Sequence, residues 1–108
     1  MNFDASYRSE LHDDPIVGPI VGQFVRNLPM RVAALRAALH QSDWREVLTL
    51  AHQLAGSSGS YGFPKMGMVA AEIEVQAKDQ VSPLVLAESI ERFSSLCDAA
   101  ARGNSQVH

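Results

Sequence analysis

Apolar residues recur three and four positions apart along most of this chain, and prolines stand where that pattern opens or is interrupted. A repeat of that period lines one face of an α-helix; a strand would alternate with period two. Asp14-Pro15 reads as an N-cap followed by proline at the first helical position, and Val17, Ile20, Val21, Phe24 and Leu28 follow at helical spacing. Pro29 interrupts this stripe and is expected to kink the helix or split it near Asn27 and Leu28. The stripe continues through Val32, Leu35 and Leu39. Ser42 or Asp43 caps the next helix, with Glu46 three residues after Asp43. Its inner face is Trp44, Val47, Ala51, Leu54, Ser58 and Tyr61.

Phe63-Pro64 ends that helix and opens another, carrying Met66, Val69, Ala70, Ile73 and Ala77. Ser82-Pro83 repeats the cap-and-proline device ahead of Leu86, Ile90, Phe93, Cys97 and Ala100. Short connections join antiparallel neighbours. The expected fold is therefore all-α: an antiparallel four-helix bundle running up-down-up-down, its first helix kinked or split at Pro29. Residues 1–13 form a polar leader, residues 14–102 the bundle and residues 103–108 a frayed tail.

At 108 residues, 46% of them hydrophobic and 19% charged, the chain is long and apolar enough for one globular domain. A net charge of −3 without a basic stripe argues against nucleic acid or an anionic membrane as partner. Cys97 is the only cysteine, which excludes an internal disulfide and a four-cysteine zinc site. The first residues are too polar for a signal peptide, and no run approaches a membrane span. A cytoplasmic monomer is expected, its apolar stripes all used by the bundle.

The chemistry concentrates in residues 51 to 64, AHQLAGSSGSYGFP. His52 stands one residue past the core position Ala51, about 100° around the helix at the edge of the apolar stripe. The residues after it on its own face are Ala55, Gly56 and Gly59, so a bulky partner could approach the imidazole. The plainer alternative is a half-buried helix histidine, with the glycines serving close helix packing. His12 and His108 lie in the leader and tail, and His40 suits a helix C-terminus. No metal site is expected, because no second histidine lies at i+3 or i+4 from His52. Ser57 and Ser58 lack a base and an acid to form a hydrolase triad. GSSGSYG lacks the lysine of a phosphate loop.

Ala51-His52, Leu54, Gly56-Ser57-Ser58 and Gly62 together resemble the signature of histidine-containing phosphotransfer (HPt) domains. DDPIVGPIVGQFVRNLPMRVAALRAALHQSDW resembles their leading helices, and YGFPKMGMVAAEIE the helix after the histidine, so the likeness covers about residues 13 to 102. The resemblance implies a phosphorelay intermediate without autonomous catalysis. His52 would accept a phosphoryl group from a receiver-domain aspartate and pass it to another receiver. Glu74 is the first candidate for orienting the histidine and Gln76 the second. Leu48, Thr49, Gln53, Ala55, Gly56 and Gly59 would form the docking face, and Gly62 would let the next helix approach closely. The implied partners are response-regulator receiver domains and a hybrid sensor kinase. No cofactor is expected in this chain, the magnesium ion belonging to the receiver.

One position departs from the pattern. The lysine usual three residues after the histidine is Ala55 here, and Lys65 and Lys78 are the lysines available elsewhere. The alternative this leaves open is a receiver-binding adaptor that relays phosphate poorly or not at all.

Overall fold

The computed structural model describes residues 7–104. They form four helices and no strand: α1 (Gly18–His40), α2 (Trp44–Ser60), α3 (Pro64–Lys78) and α4 (Pro83–Gly103). Each helix packs on its neighbours in chain order, and α4 closes the ring against α1. On α2 and α3, residue 52 faces 74 while residues 55 and 59 face 67, so the two helices run in opposite senses. No helix is long and apolar enough among the described residues to cross a membrane.

The stripes meet in one core. Leu28 and Leu35 of α1, Val47, Ala51 and Leu54 of α2, Met66 and Ile73 of α3, and Leu86, Ile90 and Phe93 of α4 are all buried there. Burying each of these side chains, Ala51 apart, stabilises the fold by about 1.5–3 kcal/mol before entropy is counted. Ile20 departs from expectation: it is 48% exposed, and Val25 takes an inner place instead. Cys97 is buried too, which pushes its thiol up to about 12.

Three boundaries are set by local hydrogen bonds. The Asp14 carboxylate accepts from the backbone N–H groups of Ile16 and Val17 at 2.8 and 2.9 Å, capping a turn that leads into α1. Asp43, not Ser42, caps α2, accepting from Glu46 N at 3.1 Å. Ser82 caps α4 through Leu84 N at 3.2 Å. Pro29 does not split α1, which is one helix from Gly18 to His40. Leu28, Val32 and Leu35 anchor both sides of the proline in the core, so the lost N–H does not break the element.

Residues 7–11 of the leader are part of the fold, while 1–6 lie outside the described residues. Tyr7 N donates to Ala99 O of α4, and Lys65 N and Met66 N of α3 donate to the Tyr7 hydroxyl. Ser9 Oγ donates to Tyr61 O, and Glu10 N to Gly62 O. Asn104, expected in a frayed tail, is instead buried: it accepts from Ser9 N and donates to the carbonyls of Tyr7 and Ala100. Gly103 is likewise helical and packed under Tyr7, while 105–108 lie outside the described residues.

Gly62 also differs from expectation. Its φ is +85°, and a Cβ there would run into Ser9 and the backbone of Glu10 and Leu11. It therefore admits the leader rather than the next helix. The glycine between helices is Gly67, where a Cβ would sit 3.2 Å from Ala55 O on α2.

Candidate functional site

The inner face of α2 fixes the site. Ala51, Leu54 and Ser58 are buried, so His52, one step round from Ala51, emerges at the α3 side of the helix. Its side chain is 72% exposed. That excludes the half-buried histidine left open by spacing alone. On α3, Ile73 is buried and Glu74, one step further, reaches α2. His52 Nδ1 and Glu74 Oε2 are 2.9 Å apart. An ionised carboxylate can only accept, so Nδ1 carries the proton, and in the neutral ring Nε2 keeps a lone pair.

Beside the ring lies a shallow open depression lined by His52, Gln53, Gly56, Ser57, Ser60 and Tyr61. Cβ atoms built on Gly56 and Gly59 would meet no atom within 4 Å. A side chain at either position would project into open space, although the Gly59 backbone itself lies against α3, its N 3.5 Å from where a Cβ on Gly67 would sit. Close approach of α3 depends instead on Gly67, which carried no motif and whose role only the paired helices reveal.

Of the other expected docking residues, Thr49 and Gln53 are exposed, whereas Leu48 and Ala55 are partly covered and pack on the core. Gln76 does not join His52. Residues two apart on a helix diverge by about 200°, so Gln76 turns away from Glu74, and its Oε1 is buried with no hydrogen-bond partner. Lys65 lines a different groove, with Val69 of α3 and Arg92, Leu96 and Ala99 of α4. No lysine or arginine lines the depression beside His52. Among the described residues, no group of three or more histidine, cysteine or acidic side chains is placed to hold a metal ion.

Comparison with protein families matches residues 19–103 to the Hpt domain. The match begins one residue into α1 and ends with α4, so it takes in the whole bundle and both partners of the His52–Glu74 contact. Neither the curated proteins nor the solved structures returned a match. Hpt domains are phosphocarrier modules that work with receiver domains and kinases in phosphorelays. By the extent of that match, the chain belongs to the Hpt domain family.

Proposed function

We propose that His52 is the phosphoacceptor, taking a phosphoryl group from a receiver-domain aspartate and passing it to a second receiver. The observation that carries this reading is the exposed imidazole whose Nδ1 is held by Glu74 at 2.9 Å while bare glycine surface adjoins it.

The Nε2 lone pair attacks phosphorus in line as the bond to the aspartyl oxygen breaks, and that oxygen leaves as carboxylate. No proton has to move, because Nδ1 keeps the one it shares with Glu74. The ring becomes cationic as the N–P bond forms, and the Glu74 carboxylate offsets that charge. Onward transfer is the reverse: the second aspartate attacks phosphorus, the N–P bond breaks and the electron pair returns to Nε2. Magnesium belongs to the receiver in this scheme. The face around His52, with Thr49, Gln53, Gly56 and Gly59, is the docking surface.

The experiment is incubation with a panel of phosphorylated receivers, read as acid-labile, base-stable phosphate on the chain. Label should appear and be abolished by His52→Gln. A panel that transfers nothing overturns the reading. The cation-free depression favours one second reading, an adaptor that binds receivers without relaying phosphate. It requires receiver binding that survives His52→Gln with no transfer by the wild-type chain.

A further inference from the structure

Phosphorylation of His52 would place a phosphoryl group carrying about 1.5–2 negative charges beside the Glu74 carboxylate, of which the cationic ring offsets one. Nothing lining the depression offsets the rest. Arg31 of α1 lines a separate groove with Leu50, Gln53 and Leu54, and three other cations can be sorted by helix geometry and partners. Lys65 is nine residues before Glu74, about 180° round α3, and faces the α4 groove. Arg92 is engaged with Glu72 at 3.0 Å. Arg45 shares the His52 face but lies two turns N-terminal, about 10 Å along α2.

Lys78 differs on each count. It is four residues after Glu74, so their Cβ atoms are about 5–6 Å apart on one face of α3. It is exposed and belongs to none of the ion pairs given by the described residues. Because α3 runs opposite to α2, Lys78 stands level with the turn before His52. Its side chain leans back toward Glu74, while the His52 ring leans toward the level of Lys78. By this geometry both side chains lean toward the same stretch of the α2–α3 seam. Asp79 follows at the C-cap of α3, about 100° further round.

We infer that Lys78 is the phosphoryl-binding cation of this site, supplied from α3 across the helix pair. It neutralises charge that builds on His52 during transfer, a role the Ala55 side chain cannot fill. The inference rests on His52 being the phosphoacceptor.

The test separates the two. The full chain is phosphorylated with phosphoramidate, a small donor that needs no receiver, and the label is mapped and titrated by 31P NMR. Label on wild-type His52 is expected. Lys78→Gln should slow labelling and weaken the second acid constant of the phosphoryl group, each about two- to fivefold, the range of exposed ion pairs. Lys78→Arg should restore both, and Lys65→Gln should change neither. An unchanged acid constant in Lys78→Gln, or an equal change in Lys65→Gln, overturns the role of Lys78 alone. Absence of label on wild-type His52 overturns the phosphoacceptor reading and the role of Lys78 with it.

Discussion

Glu74 on α3 holds Nδ1 of His52 on α2 at 2.9 Å, and this one contact sets the tautomer of an otherwise exposed ring. Replacing Glu74 by alanine should slow phosphotransfer about 10–100-fold, the loss expected for a hydrogen bond to a charged group. Stability should change by less than about 1 kcal/mol, because the pair is solvent-exposed. Glu74→Gln keeps an acceptor oxygen without the charge and should fall between. Single-turnover transfer rates and urea unfolding of the same proteins check both halves.

Gly56 and Gly59 should behave as clearance. Glycine costs a helix roughly 1 kcal/mol relative to alanine, and an added Cβ meets open space at both positions. Gly56→Ala and Gly59→Ala should therefore raise stability by up to about 1 kcal/mol each. Gly56→Leu should fold, accept phosphate from phosphoramidate and lose transfer from a receiver. A protein destabilised by Gly56→Ala would show that the glycine serves packing instead.

Asn104 makes two side-chain hydrogen bonds to the leader and a third back to Ala100 at the end of α4. Asn104→Ala should cost about 1–3 kcal/mol by leaving buried partners unsatisfied. Gly62→Ala should cost at least about 1–2 kcal/mol, since it forces a side chain into a left-handed conformation against the leader. Urea midpoints measure both.

Cys97 gives a pH signature. Burial raises its thiol from 9.0 to about 12, so the folded state holds the proton more tightly than the unfolded chain. The linked stability is complete below the unfolded value and is lost as pH climbs through the folded one. Wild type should lose stability more steeply than Cys97→Ala between about pH 9 and 12. Burial raises Tyr7 as well, with the same sign in both proteins, so the difference isolates Cys97. Alkylation of Cys97 should require unfolding.

The helices were legible because their apolar faces repeat over several turns and their starts carry Asp43, Ser82 and the prolines. The place of His52 at the edge of the apolar stripe was legible from one step of helix rotation past Ala51, but not its exposure, since spacing alone left a half-buried ring open. What escaped depends on segments that meet only in the folded chain. Gly67 stands in an unremarkable stretch until α2 lies across it. Asn104 and Tyr7 are 97 residues apart and share a hydrogen bond. Gly62 carries a signal for a turn, but no local pattern says that the leader fills the space beside it. Gln76 stands near the level of Glu74 on α3 but turns away from it, and position along a helix does not by itself give direction around it. Pro29 failed to split α1 because burial on both sides outweighs one missing N–H.

The most direct measurement is a two-receiver chase. A phosphorylated donor receiver labels the chain, the site is mapped, and a second receiver is then added. The expected result is acid-labile phosphate on His52 that appears with the first receiver, drains to the second and is absent in His52→Gln. Phosphate that bypasses the chain, or label that persists in His52→Gln, would contradict the assignment of His52 as the carrier.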